Sequence, residues 1–286
     1  MYNPALPVIT RARICVIGSS EMKSHIPIIA LFVSVVACGP GKQTTVVEHR
    51  SDSDTTVAPK ADLPQGTTTA EVPNVPFAMT GGGMRHHHRS EIQGPAKQPR
   101  VLRTFTTGAR IFASPIIGPD GTVYVGSVDG SFNAIRRTGE LRWSYICKEP
   151  IFATAAISGS GVVYTGCDDD SLLAFAQDGT LRFTYRTTHD MDSPPVISDD
   201  GTIYVGSDGV HAVSSGGKRK WKLLVGGHVN AAAAVRSDGV VVVGSHDHRM
   251  YGIAPSGVVA FAFGTGGIIQ GAAAVLKDDD VVFGGG

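Results

Sequence analysis

Residues Gly121–Ile135, GTVYVGSVDGSFNAI, decide the fold, because the chain repeats them. Two short runs of alternating residues flank the turn sequence VDG, which predicts a β-hairpin. Related hairpins begin at Gly161 (GVVYTGCDDDSLLAF), Gly201 (GTIYVGSDGVHAV) and Gly239 (GVVVVGSHDHRMYGI), and a fifth begins in the closing residues DDVVFGGG. One glycine recurs in every hairpin at spacings of 40, 40, 38 and 40: Gly126, Gly166, Gly206, Gly244 and Gly284. A fixed period near 40 indicates a stacked supersecondary unit.

Each repeat contains four short strand patterns. A first run of small residues (ASPII, ATAAI, SPPVI, AAAAV, GAAAV) precedes the hairpin, and a run such as LRWSY follows it after a Gly-containing turn. Such a series predicts an antiparallel meander, and four-stranded units of this period are blades of a β-propeller. Small residues suit the crowded strands around a propeller axis. We therefore predict an all-β propeller over residues 101–286, with about four full repeats and a partial one.

Large aromatic residues recur in the fourth strand of each repeat. Their spacings of 40, 38 and 40 follow the spacing of the repeats: Trp143, Phe183, Trp221 and Phe261. We interpret them as packing between blades and not as ligand contacts.

Both ends of the array suggest an incomplete ring. Residues 101–105, VLRTF, align with a fourth strand, whereas GAAAVLKDDDVVFGGG at the other end supplies a first and a second strand. A blade completed from both ends would lack its third strand, so the 101–105 strand would have no hydrogen-bonding partner. We expect a truncated chain whose parent carries at least one more hairpin after Gly286.

The first 38 residues contain an export pattern. Met22-Lys23 precedes an apolar run, Ile26–Ala37, which is too short for a membrane span but suits a signal peptide. The sequence VVAC, ending at Cys38, resembles the lipobox of bacterial lipoproteins. That resemblance implies a start at Met22, a lipidated Cys38 and, with Gly39 following, an outer-membrane location facing the periplasm or the surface. The alternative is an ordinary secretory signal with an incidental cysteine.

Residues 39–100 are rich in Thr, Pro, Asp and Ser and have no sustained strand or helix period. Such a segment cannot bury enough apolar surface to offset its ordering entropy, so we predict a disordered linker. It contains His86, His87 and His88. Adjacent histidines can bind a metal ion weakly, but we favour a solvated linker.

Charge and cysteine content limit the partners and the covalent links. Lys+Arg and Asp+Glu each number 25, so no net field would attract nucleic acid. Cys147 and Cys167 lie within the repeats. An exported compartment permits a disulfide between them, but sequence does not give their separation, so a disulfide and two free thiols both remain open.

The order of motifs in DGTVYVGSVDGSFNAIRRTGELRWSY resembles the PQQ-like (quinoprotein-type) repeat, which also occurs in BamB-like bacterial lipoproteins. The resemblance covers roughly residues 101–286. It implies either a non-enzymatic scaffold that binds envelope proteins, in the BamB manner, or a dehydrogenase that needs PQQ and calcium. Such dehydrogenases commonly carry adjacent cysteines, which this chain lacks.

The acidic residues do not predict a catalytic centre. Asp129, Asp169 and Asp247 occupy equivalent turns, which favours local hydrogen bonds in each blade. The run CDDD could hold a hard cation, but three consecutive side chains do not all point one way. No phosphate loop, HExxH motif or nucleophile elbow occurs. We therefore expect a non-enzymatic scaffold with no cofactor and no metal site, attached to the membrane only by its lipid anchor.

One end of the propeller is the candidate binding surface. Loops that lead from a fourth strand to the next first strand share this end with the turns between second and third strands. At one repeated position the residue changes from aromatic to polar around the ring: Phe112, Phe152, Asp192, Asn230 and Gln270. Variation on a repeated frame is typical of recognition. The predicted binding residues are Asp192, His228, Asn230, His246, Asp247, His248 and Gln270, and the alternative is that these loops are only solvated.

Overall fold

The computed structural model describes residues 13–18, 32–34, 79–80, 83–86 and 100–285. Strands account for most of the regular structure: β1 Arg13–Gly18, β2 Phe32–Ser34, β3 Arg100–Thr106, β4 Ile116–Ile117, β5 Val123–Gly126, β6 Ser131–Ile135, β7 Leu141–Ile146, β8 Ala156–Ile157, β9 Val163–Cys167, β10 Ser171–Phe175, β11 Leu181–Arg186, β12 Val196–Ile197, β13 Ile203–Gly206, β14 Val210–Val213, β15 Arg219–Leu223, β16 Ala234–Val235, β17 Val241–Ser245, β18 Arg249–Ile253, β19 Val259–Gly264, β20 Ala274–Val275 and β21 Val281–Val282. Among these described residues, no helix has the length and hydropathy needed to cross a membrane.

The repeats form four complete blades. Each is a four-stranded antiparallel sheet in chain order: blade 1 is β4–β7, blade 2 is β8–β11, blade 3 is β12–β15 and blade 4 is β16–β19. The pair β20–β21 begins a fifth blade. The predicted all-β propeller, with four full repeats and a partial one, is confirmed.

Burial varies from strand to strand in the way that blade stacking requires. The second and third strands of blade 1, β5 and β6, are buried at every residue, whereas the fourth strand, β7, is largely exposed. Neighbouring blades cover both faces of the middle strands, so these strands carry apolar residues on both sides. The hydrophobic core therefore lies between blades, and each blade depends on its neighbours for stability.

The outer aromatics seal the contacts between blades, as predicted. The ring of Trp143 faces Gly179 in the next blade, where an added Cβ would lie 2.7 Å from the indole. The indole Nε1 donates a hydrogen bond to Gln177 O at 2.9 Å. Trp221 in blade 3 makes the same two contacts with blade 4. Its ring faces Gly257, and its Nε1 donates a hydrogen bond to Pro255 O at 2.9 Å. The indole of one blade thus packs on a glycine in a turn of the next blade, where a side chain would block the contact.

Strand β3 takes the place of a fourth strand, as predicted from VLRTF. Arg103 stands where the other blades have an aromatic residue, and its Nε donates a hydrogen bond to Thr138 O at 3.1 Å. The expectation that β3 has no hydrogen-bonding partner was wrong. β1 pairs with β3 in antiparallel register, and β2 pairs with the other side of β1. β1 lies before the predicted start at Met22, and β2 lies in the segment predicted to be removed on export.

Part of the predicted linker packs against the propeller. Met79 is buried in the core cluster of blades 2 to 4. Met84 O accepts a hydrogen bond from Val235 N at 2.8 Å, and Arg85 O accepts one from Val275 N at 3.0 Å. Arg85 also forms an ion pair with Asp279 at 3.2 Å. These residues thus differ from the predicted disordered linker, because Met79 is buried and Met84 and Arg85 hydrogen-bond to the first strands β16 and β20.

Candidate protein-binding face

Antiparallel meanders place two kinds of connection at one end of the propeller, which we call the loop face. It consists of the turns 127–130, 168–170, 207–209 and 246–248 and the interblade loops 107–115, 147–155, 187–195, 224–233 and 265–273. Backbone hydrogen bonds join each loop to a turn. Cys147 N donates to Gly130 O, and Thr187 N donates to Asp170 O, at 2.8 and 2.9 Å. The backbone of the loop face is therefore fixed.

A disulfide joins one of these loops to the following blade. Cys147 and Cys167 are bonded and lie 20 residues apart in the chain. At the equivalent positions, most other repeats have threonine in the loop and serine at or just after the end of the second strand, as in Thr187 and Ser207, and Val225 is an exception. Those hydroxyls bind backbone carbonyls, for example Ser207 Oγ to His189 O at 2.6 Å. The alternative left open by the sequence is thus decided in favour of a disulfide.

The three repeated turn aspartates make local hydrogen bonds, as predicted. Asp129 accepts bonds from Ser131 N at 2.9 Å and from Gly108 N at 2.6 Å. Partial burial would raise the pKa of Asp129, but these and other hydrogen bonds outweigh it, so the pKa lies below its usual value. Asp247 is held in the same way by Gly226 N at 2.8 Å and by the Tyr251 hydroxyl at 2.6 Å. Asp247 therefore shapes the face and offers little free carboxylate to a partner.

An acidic cluster lies between blades 2 and 3, and it consists of Glu149, Asp168, Asp190 and Asp192. Asp168 Oδ1 and Asp192 Oδ1 are buried and have no hydrogen-bond partner in the described part of the chain. Burial, followed by the charges of Asp192, Asp190 and Glu149, raises the pKa of Asp168 to about 8. Asp168 therefore keeps its proton near neutral pH, because an ionised carboxylate there would be repelled by its acidic neighbours.

We expect Asp168→Asn to remove a pH dependence of stability. The pKa of Asp168 is about 8 in the folded chain and near 3.9 when unfolded, so the folded state holds an extra proton between these values. Stability should then fall as pH rises from about 4 through 8. After allowance for partial exposure, Asp168→Asn should stabilise the protein at pH 8 by about 1–2 kcal/mol relative to pH 5.

Thermal melts at pH 5 and 8 test this expectation. Asp170→Asn is the matched control, since it removes the same charge from the same turn and Asn tolerates the positive φ of 66° found there. Equal pH profiles for the two variants would show that Asp168 holds no extra proton.

Three histidines form a row along the loop face. The ring centres of His189 and His228 are 5.2 Å apart, and those of His228 and His246 are 6.3 Å apart. Each residue comes from a different turn or loop. His246 N donates a hydrogen bond to His228 O at 2.9 Å, which fixes the backbones of these two residues relative to each other. We call these residues the histidine row.

The structure thus brings the predicted binding residues together in two groups. Asn230 Nδ2 donates to Asp192 Oδ2 at 3.4 Å, and these residues border the acidic cluster. His228 and His246 belong to the histidine row. His248 and Gln270 are exposed, and their side chains hydrogen-bond to none of the others. At the aromatic part of the rim, Phe112 and Phe152 are in contact, with ring centres 5.6 Å apart.

Sequence reasoning missed a buried polar network in blade 3. His211 Nε2 lies 2.8 Å from Asp208 Oδ1, and its Nδ1 lies 2.8 Å from the Tyr185 hydroxyl. Lys222 Nζ donates to Asp208 Oδ2 at 2.6 Å. Burial lowers the pKa of His211, so the neutral ring donates to Asp208 and accepts from Tyr185. The only hint in the sequence is the shortened hairpin SDGVHAV, which this network holds together.

One further group has the composition of a metal site. Ligand atoms of Cys147, Cys167 and Asp169 lie within 4.8 Å of one another. Both sulfurs are used in the disulfide, and Asp169 forms an ion pair with Arg186 at 3.3 Å. These atoms are already bonded to each other or to protein partners, so the group does not offer thiolate ligands.

Known structures share this architecture at low sequence identity. BamB from Moraxella catarrhalis is 17% identical with a TM-score of 0.55, and the match covers 75% of this chain and 71% of that one. The computationally designed Ika8 protein is 20% identical with a TM-score of 0.57, over 65% and 58% of the two chains. Quinohemoprotein alcohol dehydrogenase from Comamonas testosteroni is 15% identical with a TM-score of 0.51, over 58% of this chain and 38% of that one. At these identities the likeness shows the fold alone.

A family model gives a more specific match. No curated protein matches the sequence. The model described as outer membrane protein assembly factor BamB, in contrast, matches residues 95–283, which includes every blade and the whole loop face. The chain therefore belongs to the BamB family of PQQ-like propellers.

Proposed function

We propose that this protein is a non-enzymatic scaffold of the bacterial cell envelope that binds protein partners through its loop face, in a BamB-like role in outer-membrane protein assembly. The observation that carries the proposal is the change of side chains from blade to blade on an otherwise repeated frame. An aromatic rim at Phe112 and Phe152 gives way to the acidic cluster within one blade. Membership of the BamB family supports the assembly role.

The chemistry of the loop face indicates what kind of segment would bind there. Glu149 and Asp190 are exposed, whereas Asp168 and Asp192 lie deeper, and Asp168 keeps its proton at neutral pH. Phe112 is 61% exposed and stands one blade away. A partner segment that carries Lys or Arg next to an apolar residue would complement both features, since a basic group would offset the negative charge of the acidic cluster.

Anchoring is the second part of the proposal. Cys38 lies outside the described residues, so the argument rests on the apolar run and the VVAC sequence. A lipid on Cys38 would hold the propeller at the outer membrane, facing the periplasm or the surface, without a membrane span. Metabolic labelling with an alkynyl fatty acid tests this, and labelling that survives Cys38→Ala would reject the anchor.

Site-specific photo-crosslinking in cells tests the scaffold function. A photoreactive residue at Phe112 should capture exported envelope proteins of the outer-membrane assembly pathway, whereas one at Asp178, in an exposed turn at the opposite end, should not. Asp190→Lys should weaken binding of the purified partner about threefold or more. Asp199→Lys is the matched control, because it reverses an exposed charge at the opposite end.

Equal capture from both ends, or equal effects of the two charge reversals, would contradict a specific loop-face interaction.

The alternative function is a PQQ- and calcium-dependent dehydrogenase, and the fold of the Comamonas enzyme motivates it. The cysteine pair does not fit the adjacent pair of that class, because its members are 20 residues apart. Stoichiometric PQQ binding with dye-linked alcohol oxidation would establish the alternative in place of the scaffold.

A further inference from the structure

We propose that the histidine row, His189, His228 and His246, binds one divalent transition-metal ion such as zinc. This goes beyond the scaffold function and departs from the sequence-based expectation of no metal site. Neutral imidazole is a preferred ligand of zinc, copper and nickel. Three imidazoles from three connections form a ligand set that leaves a fourth position for water or for a side chain of a partner.

The spacing of neighbouring rings in the row is close to that of imidazoles bound to one metal ion. Two imidazoles bound to one tetrahedral zinc ion, with nitrogens at about 2.0–2.1 Å from the metal, have ring centres roughly 5 Å apart. The observed distances are 5.2 Å for His189 and His228 and 6.3 Å for His228 and His246. The rings meet edge to face, at 75° and 70°, and are not stacked. A common centre requires the rings to rotate, because the ligand nitrogens of the three residues do not all lie within 4.8 Å of one another. The side chains of His189 and His228 are exposed, which leaves their rings free of tight packing.

The backbone around the row is held in place. Besides the bond from His246 N to His228 O, His189 O accepts hydrogen bonds from Ser207 Oγ at 2.6 Å and from Thr187 Oγ1 at 2.9 Å. Thr188 Oγ1 lies 3.4 Å from His189 Nδ1, which leaves Nε2 of that ring for a ligand. Outer-shell contacts of this kind orient ligating imidazoles and increase metal affinity.

An unsatisfied nitrogen points to a missing ligand. His246 Nε2 is buried and has no hydrogen-bond partner in the described part of the chain. A buried polar atom without a partner costs about 1–3 kcal/mol, and coordination to a metal ion would remove that cost. The neighbouring Asp247 carboxylate is already bonded to Gly226 N and Tyr251, so it does not compete for the ion.

Zinc titration of the purified protein by isothermal calorimetry tests the site. The experiment uses a background with His87→Ala and His88→Ala, because the adjacent histidines at 86–88 are a second candidate for weak metal binding. We expect one equivalent of zinc with micromolar affinity. His228→Ala and His246→Ala should each weaken binding at least tenfold. His248→Asn is the matched control, since it removes an exposed histidine from the same turn at a positive φ of 68° that Asn tolerates.

Two further measurements complete the test. Cobalt(II) should give the visible absorption of a tetrahedral nitrogen and oxygen site, and His228→Ala should abolish it. Melting curves without metal show whether each variant is folded, and a variant that melts below the parent is replaced by the corresponding Gln substitution. The absence of a one-to-one site, or equal losses in His228→Ala and His248→Asn, would overturn the proposal.

Discussion

Gly166→Ala should destabilise the protein by about 3 kcal/mol or more, the largest effect that we expect from a single methyl group. A Cβ at Gly166 would lie 2.0 Å from Met191 O and 2.6 Å from Met191 Cγ. Met191 is buried in the interblade loop that leads into blade 3, so its carbonyl can move only if that loop moves. That loop is tied to blade 4 by the bond from Ser193 Oγ to Ala231 O at 2.9 Å. The added methyl therefore strains two blade contacts together.

Chemical denaturation of parent and variant measures the effect. Gly264→Ala is the control, because an added Cβ there meets nothing within 4 Å. The control should change stability by no more than about 0.5 kcal/mol. Gly206→Ala should behave like Gly166→Ala, since its Cβ would lie 2.2 Å from Val229 O. If Gly166→Ala unfolded at the same denaturant concentration as the control, the blades would be less tightly stacked than described.

The same glycines explain why the fold could be predicted from sequence. Gly126, Gly166, Gly206 and Gly244 recur because each lies against the entry of the following blade, where an added Cβ would meet another atom at 2.2 Å or less. Because the same packing requirement occurs in every blade, glycine recurs at the same position of every repeat. This period can be recognised in the sequence without a structure. The outer aromatics and their facing glycines follow the same logic.

Contacts made only once leave no such pattern, and these were not predicted. Met84 and Arg85 add to the first strands β16 and β20, and Arg85 Nη1 binds Leu276 O across 191 residues of sequence. The surrounding composition, rich in Thr, Pro and Ser, predicts a linker, because docking on a distant edge has no local signal. The pairing of β1 with β3 is a second contact of this kind.

The candidate site was predicted in position but not in chemistry. Equivalence of repeats placed Asp192 and Asn230 side by side at the rim, and the structure has them hydrogen-bonded. The raised pKa of Asp168 depends on its burial among other carboxylates between two blades, which no spacing in the sequence gives. The burial of His246 Nε2 likewise depends on how the turn packs, which the sequence does not show.

Replacing Cys147 by Thr and Cys167 by Ser should cost about 3 kcal/mol, the value expected for opening a loop of this length. The disulfide closes a segment of 20 residues. The double variant introduces the threonine and serine that most other repeats have at these positions, as in Thr187 and Ser207. It therefore leaves no cavity and no free thiol. The melting temperature should fall by roughly 6–12 °C for a propeller of this size.

The size of the effect separates a covalent restraint from a packing contact. If the disulfide acts by restricting the unfolded chain, reduction of the parent should lower its stability to within about 1 kcal/mol of the variant, and reductant should not affect the variant. If the Thr and Ser hydroxyls fixed the loop equally well, variant and oxidised parent would melt together. That outcome would contradict a stabilising role for the disulfide. Glu149 lies inside the loop that the disulfide closes. The acidic cluster should therefore be less ordered in the double variant, and the pH dependence of stability assigned to Asp168 should be smaller.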